Sequence, residues 1–273
     1  MATKIIAELG LNFNGSLDIA KKLIDLACFT ECDYVKFQKR TPELCVPEEQ
    51  KNKPKETPWG TMTYLEYKNR MEFGEMEYKE IDEYCKSRKI KWFASVWDLP
   101  SCDFMKAFTK IGKIPSALIV NIELCQYARE CFDFLIISTG MSTEEEIEKA
   151  VEASKPDVIM HCNSSYPAIS EELNLNYIKW LKNKYPHIIQ GYSGHEFGLI
   201  TTIAAVVLGA EWVERHITLK RTMWGSDQLA SVEPHGLMKL VKGIRSVEAA
   251  MGTGGPRQVL GSELEKRKSL RGT

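Results

Sequence analysis

The stretch HIIQGYSGHEFGLITTIAAVVLGAEWVERHITL, residues 187–219, holds two short apolar runs separated by one helical pattern. The first run, 187–193, leads into Ser193 and His195. The second, 212–218, begins with Trp212 and Val213 and then carries Glu214, Arg215 and His216 together. Between them, LITTIAAVVLGA (199–210) reads as a crossover helix. Strand, helix and strand in this order form one parallel unit. A chain with only five histidines has placed two of them at neighbouring strand ends.

The same unit recurs along the chain. IIAEL (5–9), YVKFQ (34–38), KWFASV (91–96), KIPSA (113–117), FLIIS (134–138) and DVIMHC (157–162) are the other strand candidates. Amphipathic stretches follow them, among them LDIAKKLIDLACF (17–29), MEYKEIDEYCKSR (76–88), STEEEIEKAVEAS (142–154) and a last helix over 234–252. Eight strands, each followed by a helix, predict an α/β fold of the (β/α)8 TIM barrel type, a single domain over residues 1–255. A doubly wound open sheet would want a Gly-rich turn after the first strand, and none is there. Residues 256–273 read as a polar, basic tail with a frayed end. The segment 39–75 is too long and too rich in Pro, Lys and aromatics for an ordinary connection, so it is expected to be a lid or substrate loop.

The bulk numbers exclude several function classes. A length of 273 residues with 44% hydrophobic side chains suits one large barrel. A net charge of -1 and a pI near 6.6 leave no electrostatic footprint for nucleic acid or a membrane surface, so an anionic ligand must be held by local groups. No apolar run approaches the ~18 residues a membrane span needs. Eight cysteines without CxxC spacing, several of them (Cys28, Cys85, Cys162) in apolar patterns, point to free thiols and a cytoplasmic compartment. MATKIIAELG enters a strand without a signal-peptide pattern.

In a barrel, functional groups gather where the strands end at their C-terminal side. Glu8 closes the first predicted strand, Lys36 and Gln38 lie in the second, and Ser95 in the third. Lys113 and Ser116 fall in the fourth, Ser138 ends the fifth, and Ser164 and Tyr166 follow the sixth. Ser193 and His195 belong to the seventh, Glu214 and His216 to the eighth. A strand-end serine is ordinarily turn chemistry, but a purely structural barrel would fill the whole set with Val, Ile and Leu. Two lysines inside strands are costly to bury unless they meet an anion. The turn STGMSTEEE offers hydroxyls and a helix N-terminus for phosphate, although Thr143 and Glu146 also have capping-box spacing. Two histidines on neighbouring strands can share a divalent metal with oxygen ligands or water. The residues therefore describe a metal-assisted enzyme acting on a small phosphorylated anion.

AELGLNFNG (7–15), VKFQ (35–38), KIPSA (113–117), IISTGMST (136–143), HCNSSYP (161–167), GYSGHEFG (191–198) and VERHITL (213–219) followed by GSD (225–227) resemble, in order and spacing, the N-acetylneuraminate (sialic acid) synthase family. The resemblance spans about Ile5 to Met251. It implies condensation of phosphoenolpyruvate with an open-chain amino-sugar aldehyde, with release of phosphate and a divalent metal, Mn2+ or Mg2+, as cofactor. It implies that His195 and His216 are metal ligands. Lys36, Ser95, Lys113, Ser116, Ser138, Ser164 and Ser193 match positions that hold phosphoenolpyruvate. Gln38, Tyr166 and Asp227 match positions contacting the sugar, and Glu8 and Glu214 match acids near the reacting carbons. Departures include Phe13 where the family often has His, and Trp224 where Pro is frequent. Many relatives continue into a small antifreeze-protein-like domain that lends an Arg to the neighbouring subunit; this chain, ending in KRKSLRGT, is expected to lack it, and a homodimer is one expectation for its assembly.

The alternatives are a 3-deoxy-octulosonate-type synthase using a pentose phosphate, a Schiff-base aldolase on Lys36 or Lys113, and a barrel that only binds sugar phosphates. Two further expectations concern packing. Replacing either strand lysine should leave the unliganded protein as stable as before or more so, by relieving like charge. Trp59 and Tyr64 of the 39–75 segment should cover the sugar.

Overall fold

The computed structural model describes residues 2–272. Strands β1 (Lys4–Glu8), β2 (Tyr34–Lys39), β3 (Lys91–Val96), β4 (Ile111–Ile114), β5 (Phe134–Ser138), β6 (Val158–Cys162), β7 (Ile189–Gly194) and β8 (Trp212–His216) close into one barrel. Every neighbouring pair is parallel, and β8 returns to lie beside β1. The helices outside are α1 (Leu17–Phe29), α2 (Glu75–Arg88), α3 (Leu99–Met105), α4 (Ile122–Cys131), α5 (Glu144–Ser154), α6 (Tyr177–Lys184), α7 (Ile200–Val207) and α8 (Pro234–Met251). This is the (β/α)8 barrel that the alternation predicts.

Alternation of side chains along each strand sorts the residues into layers. Ile5, Ala7, Val35, Phe37, Leu135, Ile137 and Val213 face outward and join the apolar stripes of the helices. Ile6, Tyr34, Phe93, Ile136, Val158, Met160 and Trp212 face inward and form a plug. Tyr34 and Phe134 both stack on Trp212, at 5.1 and 5.3 Å between ring centroids. The next inward positions along the strands, Glu8, Lys36, Ser95, Lys113, Ser138, Cys162, Ser193 and Glu214, line a single pocket above that plug. The polar ring therefore rests on an apolar floor of aliphatic and aromatic side chains.

The fourth strand differs from its expected bounds. It begins at Ile111 and ends at Ile114, because Pro115 has no N–H to give to a ladder. Ser116 sits in a short 3-10 turn, not in the strand. The 39–75 segment is more ordered than a loop. It contains two single-turn helices, an antiparallel hairpin of Pro54–Thr57 with Gly60–Thr63, and a helix Tyr64–Met71. Thr63 and Glu66 cap that last helix reciprocally. The C-terminal residues also depart from a frayed end: Leu264–Arg271 form a helix, its residues all exposed.

Candidate active site

Four charged side chains in the polar ring are almost inaccessible: Glu8, Lys36, Lys113 and Glu214 are all at most 4% exposed. Burial of this kind requires pairing. β1 and β2 are in register so that Glu8 lies beside Lys36, and Lys36 Nζ stands 2.8 Å from Glu8 Oε2 and 2.6 Å from Ser95 Oγ. Lys113 Nζ reaches across the barrel to donate to Glu214 Oε1 at 2.9 Å, and Lys36 is 3.5 Å from the same oxygen. Ser193 Oγ donates to it as well, at 3.4 Å. Two cations meet two anions, and the ring is neutral.

That geometry overturns the expectation of a like-charge crowd. It also sets the titration of each group. Burial works against the Lys36 ammonium, but the charges of Glu214 and Glu8 outweigh it and raise its pKa. For Lys113, which has one carboxylate instead of two, burial wins and the pKa falls. Burial raises Glu8, with Glu214 adding to the effect. For Glu214 burial pulls upward, yet Lys113 and Lys36 hold the carboxyl down to about 2.

A stability prediction follows from Glu214. Its unfolded carboxyl titrates near 4.5, so its contribution is fully present above that pH and is lost as pH falls toward 2. The melting-temperature gap between the wild type and Glu214→Gln should be widest above pH ~5 and shrink steadily on acidification. A gap constant down to pH ~3 would remove Glu214 as an ion-pair hub.

On the β5–β6 side the pocket becomes a cradle. Ser116, Ser138, Ser164 and Cys162 line it, and Ser138 Oγ is buried with no hydrogen-bond partner. The Gly140 N–H donates to Ser116 Oγ at 3.1 Å. A Cβ on Gly140 would fall 2.2 Å from Ser164 Oγ and 2.9 Å from Ser116 Oγ, so only glycine leaves these hydroxyls open.

The two histidines stand next to the cradle, at the ends of β7 and β8, with ring centroids 5.5 Å apart. His195 Nδ1 donates to the Asn163 carbonyl at 2.6 Å, which fixes the tautomer and leaves Nε2 with its lone pair. His216 Nδ1 is buried without a hydrogen-bond partner. Burial, only partly offset by Asp227, lowers the His216 pKa to about 3, so the ring is a neutral donor at ordinary pH. Among the described residues no third His, Cys, Asp or Glu completes a closed cage. The donor set fits a cation with open positions, not a structural metal. Gly10, at φ +51°, leaves room here: a Cβ would lie 2.8 Å from Asp227 Oδ2 and 2.9 Å from His216 Nδ1.

Of the fourteen residues singled out in the sequence, thirteen line the one pocket. Asp227 sits at its edge, 3.8 Å from His216. Tyr166 lies over His195, 4.0 Å between centroids. Sequence reasoning missed Arg40 and misread Cys162. Cys162 is no mere small hydrophobe; its Sγ is 3.7 Å from His195 Nδ1, inside the site. Arg40 is buried, pairs with Glu72 at 2.9 Å, stacks on Trp97 at 4.3 Å and donates to Gln38 Oε1. Gln38 Nε2 in turn donates to Glu8 Oε1 at 2.9 Å, so its amide is held at both ends. The aromatics of the 39–75 segment do not cover this pocket. Tyr67 packs with Leu11 and Met71, and Trp59 stands edge-on to Trp224 at 5.5 Å. Tyr64 and Tyr67 instead wall an adjoining recess.

The NeuB family model matches residues 23–255 of this chain. The N,N'-diacetyllegionaminic acid synthase of Campylobacter jejuni is 36% identical over 92% of the chain and 78% of its own length. The human N-acetylneuraminate-9-phosphate synthase is 34% identical over 97% of the chain and 76% of its own. Among solved structures, an N-acetylneuraminic acid (sialic acid) synthetase from Leptospira borgpetersenii, crystallised with citrate, superposes with a TM-score of 0.85 at 34% identity, covering 99% of this chain and 93% of that one.

Proposed function

The chain belongs to the NeuB family, and from this premise we propose that its barrel mouth joins phosphoenolpyruvate to an open-chain sugar aldehyde, releasing phosphate and forming a nonulosonic acid. The observation that carries this reading is the neutral ring of two buried lysines and two buried carboxylates, lined by a hydroxyl cradle and the pair of imidazoles beside it.

Each ammonium has three N–H donors. Lys113 gives one to Glu214, which leaves two for the substrate carboxylate or phosphate. Ser138, Ser116 and Ser164, with Gly140 beneath them, receive the phosphate oxygens. Gln38, clamped between Arg40 and Glu8, presents its amide to the sugar, joined by Tyr166 in the same pocket and Asp227 at its edge. A divalent cation, Mn2+ or Mg2+, held by His195 and His216 would act as a Lewis acid at the aldehyde oxygen. C3 of the enol phosphate attacks the aldehyde carbon, and water adds to C2 before the C–O bond to phosphate breaks. Glu214, held ionised, anchors the lysines and cannot give up a proton. Glu8, with its raised pKa, is the carboxylate suited to take the proton from that water at Oε2. Eight unpaired cysteines support a reducing, cytoplasmic location. Phe197 and Ile200, exposed ahead of and at the start of α7, offer apolar surface for a homodimer, which sedimentation would check.

The test is phosphate release from phosphoenolpyruvate with a panel of aldoses. Release should require both substrates; release without an aldose would overturn the condensation. A companion variant probes the cradle. Gly140→Ala should raise KM for phosphoenolpyruvate about tenfold or more, the size of one lost charged hydrogen bond, and raise KM for the aldose far less. An equal effect on both substrates would take the phosphate out of the cradle.

A further inference from the structure

Next to the pocket, the 39–75 segment and the loop after β8 enclose a recess of about 530 Å³, walled by Lys55, Lys68, Tyr64, Tyr67 and Trp224. Lys55 Nζ lies 4.9 Å from the Tyr67 ring centroid and 5.8 Å from that of Trp224. Lys68 Nζ lies 5.2 Å from Tyr64 and 5.6 Å from Tyr67. Both ammoniums share one aromatic bed, yet neither has a carboxylate within ion-pair distance among the described residues. The chain otherwise pairs its partly buried cations well, as at Arg40–Glu72 and Arg245–Asp33. Burial, with the charge of Arg40, pushes the Lys68 pKa down to about 8. Two cations held together with no carboxylate in direct contact leave their N–H donors open to an anion.

The loop after β8 runs from the recess to the reaction site. Gly225 and Ser226 form the rim of the recess, and Asp227, the next residue, stands 3.8 Å from His216. Ser226 Oγ on that rim donates to Asp227 Oδ1 at 2.7 Å, which ties the wall of the recess to the edge of the site. An open-chain sugar with its aldehyde at the histidines can extend its far carbons past Asp227 toward this recess. A neutral hydroxylated end would leave both lysines uncompensated, whereas a phosphate monoester carries up to two negative charges and three acceptor oxygens.

We propose that Lys55 and Lys68 form an anion subsite for the distal end of the acceptor, and that the acceptor is an aldose bearing a terminal phosphate. This rests on the condensation reading above, and two measurements keep them apart. The first is calorimetric binding of aldoses with and without a terminal phosphate to the full chain, which needs no turnover. The wild type should bind the phosphorylated member of each pair about tenfold or more tightly, and Lys68→Met and Lys55→Met should collapse that ratio toward one. The second is phosphate release from phosphoenolpyruvate with the same pairs, where the kcat/KM ratio should follow the binding ratio. Binding indifferent to the terminal phosphate overturns the subsite, whatever turnover shows. A preference that survives the double variant Lys55→Met/Lys68→Met also overturns it. Phosphate-dependent binding with no release from phosphoenolpyruvate keeps the subsite and overturns the condensation.

Discussion

Lys113→Met should lower kcat/KM for phosphoenolpyruvate by roughly a hundred- to a thousandfold, equivalent to about 3–4 kcal/mol for losing one partner of a desolvated, hydrogen-bonded charge pair. Lys113 is the lysine with uncommitted donors, so its loss falls mainly on the substrate. Lys36→Met should fall mainly on the fold. Lys36 alone lies within ion-pair reach of Glu8, whereas Glu214 keeps one lysine when the other is removed. An orphaned buried carboxylate costs about 3–5 kcal/mol, so the Lys36→Met melting temperature should drop by roughly 6–10 °C at about 2 °C per kcal/mol for a chain of this size. Adding Glu8→Gln to Lys36→Met should recover much of that loss without restoring activity. A Lys36→Met protein as stable as the wild type would mean that the ring is not the ion-pair network described above.

His216→Ala should abolish activation by Mn2+ and weaken Mn2+ binding, followed by calorimetry, by at least ~100-fold, since even partners of metal ligands are worth 10–100-fold in affinity. The pH response should separate the two rings. His216 stays neutral down to about 3, so it does not compete with protons across the working range. Burial opposes protonation of His195, but Cys162 and the Asn163 carbonyl beside it outweigh burial and raise its pKa. Mn2+ affinity should therefore weaken as pH falls through the raised His195 pKa. Unchanged Mn2+ binding in His216→Ala would end the two-histidine assignment.

Much of this was legible because a strand repeats every two residues and a barrel puts its chemistry at one end. Glu8, Lys36, Ser138, Glu214 and His216 each lie where alternation from an apolar neighbour points inward, so their gathering follows from the pattern alone. What closes them into a network did not. That Lys113 meets Glu214 depends on β4 and β8 facing each other across the closed barrel, 101 residues apart in sequence. Without that closure the lysines read as an unpaired like-charge crowd, where the structure pairs both with carboxylates. Arg40 was hidden for a similar reason. It lies one residue past β2 and gains meaning only from Glu72, Trp97 and Gln38. The helix Tyr64–Met71 was readable in principle, since Thr63 and Glu66 carry capping-box spacing inside a stretch taken for a loop. Pro115 likewise marked the end of β4.

The reaction ring draws one or two side chains from each of eight strands, so no single exchange of sequence can rebuild it piece by piece. The 39–75 insertion is different. It is one contiguous length of chain between β2 and α2, seated largely on a small patch of Leu11, Tyr67, Met71 and Trp224. Recombination between homologous genes could replace it as a cassette, changing which acceptor is admitted while inheriting the catalytic machinery whole. New sugar acids could then arise from this scaffold by swapping one segment, with Trp224 the natural co-varying position because it meets the insertion from the other side.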